Sequence, residues 1–250
     1  MRKRYIINTM NPKLVSKDYD LLKDIDLRSV VKESTQKVLK EKVPVTEAYI
    51  SEPKTFKQTS NMVSQKTKDG HQELYLNYVK ESNRVSAELD TVNLEEANSS
   101  HSENRSLKLD ETYNLNAKVL HELYFANCFD PNSQIFMDSN AYMKLQRDFG
   151  DFESWQQSFL ACAMSCGEGY AICAYNIYLK RYVNTIISNH SQDVMVGLIP
   201  VIVLDCWSHA YHRDYVIDKK SYAIAMMREF AWRTIEDRFT VAEKIASVFK

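Results

Sequence analysis

Asp205-Cys206-Trp207-Ser208-His209-Ala210-Tyr211 follows directly on the apolar run Val201-Ile202-Val203-Leu204. That run reads as a short buried strand. Pro200 just before it lacks a backbone donor and fits a strand's start better than its middle. An acidic residue and a histidine four positions apart thus stand where a buried strand ends. From there a carboxylate and an imidazole can be aimed at one metal ion, and redox metals such as iron and manganese accept this donor pair. Two earlier histidines, His71 and His121, lie in helical surroundings and can complete the shell. Together the four residues predict a mononuclear redox-metal site.

Upstream, a helical pattern runs from Met62 to about Leu94 through Leu74, Tyr75, Tyr78, Val79 and Val85. The polar stretch from Glu95 to Asn104 reads as a flexible connector. A second helix then carries Leu115, Leu120, His121, Tyr124 and Phe125. Paired antiparallel, the two make a helical hairpin that brings His71 and His121 to one level. A lone helical histidine among apolar neighbours is more often a hydrogen-bonded core residue, but four candidate ligands in compatible settings favour a metal.

Pro131 and Asn132 mark a break, and the second half starts near Ser139. Trp155, Phe159, Ala163 and Cys166 recur at helical spacing, and Gly167-Glu168-Gly169 interrupts. Tyr170 to Leu179 and Tyr182 to Ile187 read as strands, and Tyr222 to Val248 as helical with Phe230, Trp232 and Ile235 inward. Residues 1 to 47 are a polar appendage with one expected helix, from Asp26 to Lys42, stopped by Pro44. This arm is either solvated or a docking segment.

Composition removes several classes. With 44% hydrophobic and 26% charged residues, the 250-residue chain can build a proper core. Lys+Arg 32 against Asp+Glu 33 leaves a net charge of −1, which gives no electrostatic case for nucleic acid or an anionic membrane as partner. Five cysteines, Cys128, Cys162, Cys166, Cys173 and Cys206, form no C-x-x-C pair and suit reduced core thiols. No apolar stretch reaches membrane-spanning length. No signal-type apolar segment follows Met1-Arg2-Lys3-Arg4, so an intracellular setting is expected.

The motif resembles the Asp-x-Trp-Glu-His-Ala-Tyr signature of the iron/manganese superoxide dismutases. Phe149-Gly150 with Trp155 and Phe159, Gly167-Glu168-Gly169-Tyr170-Ala171, and Tyr222, Trp232 and Arg238 are similar to further family segments in the same order. The resemblance covers about residues 48 to 240. It implies an α+β fold with a helical-hairpin domain at 48–130 and an α/β domain with a small antiparallel sheet at 131–250. It also implies one iron or manganese ion per chain, held by His71, His121, Asp205 and His209. His71 precedes Tyr78 by seven residues where the family has eight, so in strict register Gly70 takes the first position. His190, with Gln192 as alternative, resembles the residue that hydrogen-bonds metal-bound water. Tyr78 resembles the gateway tyrosine and Trp207 the apolar wall behind the aspartate.

The implied reaction is dismutation of superoxide by a homodimer or heterodimer joined through the metal-site face. Several residues depart from the pattern. Ser208 replaces the glutamate that bridges the family's dimers, Tyr170 replaces a tryptophan, and Tyr124-Phe125 replaces the usual aromatic-Trp pair. Tyr75 and His212 suggest a family hydrogen bond with its partners exchanged. These departures leave open a second function, a structural subunit of a mitochondrial ribosome or virus particle docked through residues 1–47. The expected setting is cytoplasmic or mitochondrial, or virion-associated if the structural reading holds.

Overall fold

Helix α1 (Gln65–Leu89) starts at Ser64, whose hydroxyl accepts from the Thr67 amide, and helix α2 (Glu103–Asn127) starts in the same way at Ser102. The computed structural model describes residues 49–249, so the expected arm and its Asp26–Lys42 helix lie outside the described residues. The helix expected over 62–94 is shorter at both ends because Ser64 caps one and a turn at Asp90 closes the other. The polar connector is hydrogen-bonded rather than featureless. It holds a 3-10 turn at Leu94–Glu96, and the Asn98 side chain accepts from the Ser100 and His101 amides.

The two helices form the expected hairpin and bury Tyr75 and Val79 against Leu120, Tyr124 and Phe125. Farther along, Val85, Leu89 and Leu107 make a smaller cluster of their own. Glu122 ties the hairpin to the preceding segment, meeting Lys54 at 2.6 Å, Lys118 at 3.0 Å and the Tyr75 hydroxyl at 3.0 Å. The lysines outweigh burial and hold its carboxyl below the ordinary value.

Helices α3 (Asn140–Phe149) and α4 (Phe152–Ser165) follow, separated at Gly150, whose φ of +94° favours glycine. Ser139 and Asp151 cap their starts, and Trp155, Phe159 and Ala163 face the core as expected. Strands β1 (Gly169–Asn176), β2 (Arg181–Ser188) and β3 (Leu198–Asp205) form an antiparallel sheet in the order β2-β1-β3. The central strand β1 is buried along its whole length. It stops at Asn176 rather than Leu179 because the Asn176 side-chain Oδ1 accepts from the Tyr178 and Leu179 amides and turns the chain.

Pro200 corrects another expectation. It lies inside β3, opposite Ala174, where the register shifts between Cys173 and Ala174. An edge strand with a bulge tolerates the missing donor. The outer edge of β3 is covered by a side chain. Asn127 donates to the Val203 carbonyl at 2.9 Å, accepts from the Val203 amide at 2.8 Å and also accepts from Arg238 at 2.9 Å. Asn127 thus does the work of a neighbouring strand.

The last segment holds three helices, α5 (Ser208–Tyr215), α6 (Lys219–Arg228) and α7 (Trp232–Val248). The helical run expected from Tyr222 is broken at 229–231, where Asp130 N–H donates to the Glu229 carbonyl and Ala231 N–H to the Asn127 carbonyl. Phe230 and Ile235 are fully buried, and Trp232 nearly so. The described residues contain seven α-helices and one three-stranded sheet, the mixed α+β class that was expected. No helix among them is long and apolar enough to cross a membrane.

Asn127→Ala strips partners from a buried amide, a buried carbonyl and a guanidinium at once. We expect a loss of about 3 kcal/mol, read as a lower urea midpoint at unchanged slope. A change below about 1 kcal/mol would mean that water replaces the side chain there.

Candidate metal centre

Asp205 ends β3 and is fully buried. Its Oδ1 accepts from the Trp207 amide at 2.8 Å, which leaves Oδ2 to face three imidazoles. His71 Nε2 lies 3.2 Å from Oδ2, His209 Nε2 3.4 Å and His121 Nε2 3.8 Å. All four donor atoms fall within 4.8 Å of one another. The hairpin supplies His71 and His121, and the first turn of α5 supplies His209 four residues after the strand ends.

Hydrogen bonding prepares the cluster for a cation. His121 Nδ1 lies 2.6 Å from the Ala117 carbonyl and donates to it, so its lone pair sits on Nε2. That Nε2 is buried without a hydrogen-bond partner, and so is His209 Nε2. A buried polar atom left unpaired costs about 1–3 kcal/mol. Bonds of about 2.1 Å to one metal place donor atoms roughly 3–4 Å apart, the spacing seen around Oδ2. The residues present therefore fit a metal ion of the kind that accepts imidazole and carboxylate.

The electrostatics agree. Burial pushes His121 down to about 3, helped by His71, and it also lowers His71 against the pull of Asp205. Burial acts on His209 in the same direction, but the Asp205 charge outweighs it and its value is raised. Burial alone would raise the Asp205 carboxyl, yet His209 and His71 hold it well below the ordinary carboxylate range.

His71, not Gly70, enters the cluster. Seven residues along a helix fall only about 20° short of two turns, so Tyr78 shares the face of His71. Tyr78 is half-buried and lies 3.1 Å from His190 Nε2. His190 is fully buried, stacks on Trp207 at 5.0 Å and is held through its carbonyl by Asn116. Burial lowers its pKa to about 4, with Asp205 opposing. Gln192 is exposed and pairs through its backbone with Ser188.

Two neighbours escaped the sequence reading. Tyr113 packs edge-on against His190 at 4.6 Å, and with 15 tyrosines in the chain nothing singled it out. Tyr170, read only as a departure, sets its hydroxyl 3.2 Å from His190 Nδ1. The exchanged bond suggested for Tyr75 and His212 is not formed within the chain. Tyr75 accepts from the Lys54 amide and donates to Glu122, while His212 Nδ1 pairs with the Val216 carbonyl. Burial raises the Tyr75 phenol to about 12. Ser208 donates through its amide (3.0 Å) and its hydroxyl (3.3 Å) to Glu168 Oε2. Beside the cluster a cleft of about 550 Å³ opens to solvent, with Lys66 and Arg213 among the residues that line it.

Known proteins are similar to this chain in sequence. Residues 138–238 match the family model of the iron/manganese superoxide dismutases, C-terminal domain. An Aquifex pyrophilus protein named superoxide dismutase [Fe] is 31% identical over 205 residues, spanning 80% of this chain and 95% of that protein. A second iron-named superoxide dismutase, from Cupriavidus metallidurans, is 34% identical over 138 residues, 54% of this chain and 68% of its own. A Halobacterium salinarum protein named superoxide dismutase [Mn] 1 is 29% identical over 137 residues, 53% of this chain and 66% of its own. The chain belongs to the iron/manganese superoxide dismutase family. The relatives' names imply an iron or manganese ion and do not choose between them.

The histidine shifts give the metal-free protein a pH signature. His71, His121 and His190 bind protons less readily when folded than an ordinary histidine, whose pKa is about 6.5, so the unfolded chain takes up protons first as pH falls. Their effect is destabilising from about pH 6.5 down towards 4. The depressed Asp205 acts in the same direction at lower pH, and only the raised His209 opposes. The melting temperature of chelator-treated protein should therefore drop between pH 7 and pH 4.5, by scanning calorimetry. A flat or rising curve would contradict the buried, neutral imidazoles.

Proposed function

We propose that the chain dismutates superoxide, converting two superoxide ions and two protons to oxygen and hydrogen peroxide. The observation that carries this reading is the single carboxylate oxygen of Asp205 facing three imidazole nitrogens, two of them buried without partners. In this reading His71, His121, Asp205 and His209 are the ligands of an iron or manganese ion. When bound, that ion supplies one-electron redox chemistry in both directions.

The protein's own residues do the rest. Three neutral imidazoles and one carboxylate contribute a single negative charge to the site. Lys66 and Arg213 beside the cleft attract an anion towards it. Tyr78 and His190 hold hydrogens beside the cluster, where a reaction that consumes protons needs them. Burial, with Tyr113 beside it, pushes the Tyr78 phenol above its ordinary value, so its oxygen keeps its proton at neutral pH. Tyr124, Phe125 and Trp207 wall the donors with apolar surface.

We also read the face bearing Ser208 and His209 as an association surface for a second copy of the chain. This rests on His209, a proposed ligand whose side chain is still 26% exposed. Sedimentation equilibrium should then show dimers at micromolar concentration, and a monomer throughout removes the reading.

Purified protein should carry about one iron or manganese per chain and lose its dismutase turnover on chelation. His209→Ala should lower metal affinity by at least about a hundredfold, measured by elemental analysis after gel filtration. An inactive protein with empty sites, or a His209→Ala variant that keeps its metal, would refute the assignment.

A further inference from the structure

Cys166 and Cys206 belong to segments far apart in sequence that meet at the start of β1. Cys166 closes α4, and its sulfur lies 3.1 Å from where a Cβ on Gly169 would stand. Cys206 follows Asp205 at the end of β3, and its amide donates to the Gly169 carbonyl at 2.8 Å. The bare face of Gly169 leaves room for the Cys166 sulfur, to which the Cys206 thiol donates a hydrogen bond. The two partners differ in freedom. Cys206 is fixed by its own amide bond and by its neighbours, because Trp207 N–H donates to Asp205 Oδ1 and the Tyr222 hydroxyl to the Asp205 carbonyl. Cys166 is followed by the exposed Gly167 and Glu168, so movement of that turn can bring the sulfurs together.

Charge also sets Cys166 apart. Lys219, the first residue of α6, donates from Nζ to the carbonyls of Cys166 and Gly167. The Cys206 thiol and the Lys219 ammonium hold Cys166 below the ordinary cysteine value, against burial and the charges of Asp205 and Glu168. Burial instead raises Cys128, Cys162 and Cys173. Cys166 itself is only 2% exposed, but Ser165 and Gly167 on either side of it are exposed, which keeps the path short for a small oxidant.

We propose that Cys166 and Cys206 are a dithiol that hydrogen peroxide closes reversibly to a disulfide, with Cys166 as the attacking thiol and Lys219 as the charge that activates it. The Cys166 thiolate attacks one peroxide oxygen, and the O–O bond breaks. Hydroxide leaves and takes a proton from solvent to become water, while the Cys166 sulfur, oxidised by two electrons, becomes a sulfenic acid. The Cys206 sulfur then attacks that sulfur and gives up its proton, the S–O bond breaks, and a second water leaves. Two thiols and one peroxide thus become one disulfide and two waters. The bond joins the end of α4 to the residue next to Asp205, a tie that the reduced protein lacks. Peroxide is the product of the proposed dismutation, so that reading supplies the oxidant within the same protein. Peroxide from solution serves equally, and the chemistry of the pair does not depend on the dismutase reading.

Purified full-length protein is reduced, freed of reductant and exposed to hydrogen peroxide. Remaining thiols are blocked with maleimide in denaturant, and an unreduced digest is read by mass spectrometry. One cross-linked pair should appear, the peptide of Cys166 joined to that of Cys206, and dithiothreitol should remove it. Cys128, Cys162 and Cys173 should carry maleimide. In Cys206→Ala a sulfenic acid at Cys166 should persist and be trapped by dimedone, while Cys166→Ala should leave Cys206 unoxidised. Lys219→Gln should close about threefold more slowly, since about tenfold less thiolate is partly offset by its greater nucleophilicity. Lys219→Arg keeps the charge and should close at the wild-type rate. Wild-type protein that keeps all five thiols, or that pairs Cys166 with Cys162, overturns the proposal whether or not either alanine variant folds. An unchanged rate in Lys219→Gln overturns the role of Lys219. Closure by added peroxide in a protein without dismutase activity would overturn the dismutase reading and leave the dithiol standing.

Discussion

The Asp205 carboxylate is a fully buried anion, and the arrangement of the chain around it follows from that constraint. A charge in such a place costs several kcal/mol unless its oxygens are matched. One oxygen is matched locally by the Trp207 amide. The other is matched only by side chains from α5, which follows the strand directly, and from α1 and α2, the hairpin far upstream in sequence. The hairpin and the sheet must therefore dock in the correct relative position before the anion is tolerated. Tyr222 adds a further tie, donating to the Asp205 backbone carbonyl at 2.9 Å. Holding the aspartate and forming the tertiary structure are one requirement.

This explains which features were legible in the sequence. Histidines are rare here, six in 250 residues, and two of the cluster members lie in a long motif at the end of an apolar run. The four residues could be named in advance because few side chains can do such chemistry. The choice between His71 and Gly70 was ambiguous because a motif counts residues, whereas a helix counts angle. A shift from eight to seven residues turns the side chain by about one residue's 100° and returns Tyr78 to the face of His71. The hairpin and the sheet were readable from periodicity. The places that were not readable depend on partners remote in sequence. Pro200 sits inside a strand only because that strand is an edge with a shifted register. The break at 229–231 exists because its backbone groups are bonded to Asn127 and Asp130.

The departures from the family pattern are of different physical kinds. Tyr124 keeps a polar handle in the core, its hydroxyl 3.0 Å from that of Tyr222, which in turn reaches Asp205. Tyr75 has both of its hydrogen bonds inside the chain and serves to anchor Glu122 and the segment at Lys54. Tyr170 exchanges a donor-only indole for a hydroxyl that can donate and accept. None of these changes removes a donor atom from the group around Asp205. They alter what lies behind the donors, where the orientation and protonation of neighbouring groups are set.

Ser208 requires a different argument because it changes charge. The carboxylate expected at that position is absent, yet a carboxylate is still there, supplied by Glu168 from the turn before β1 and bonded to the Ser208 amide and hydroxyl. A negative group at the first turn of α5 complements the helix dipole and acts on His209 next to it, where the Glu168 charge adds to that of Asp205. The local field at this ligand candidate thus survives the substitution. What changes is reach. A glutamate at 208 would project from the helix, whereas Glu168 Oε2 is held against the same chain by two hydrogen bonds. The substitution therefore bears on how this face meets a partner more than on whether the donors beneath it can hold a metal.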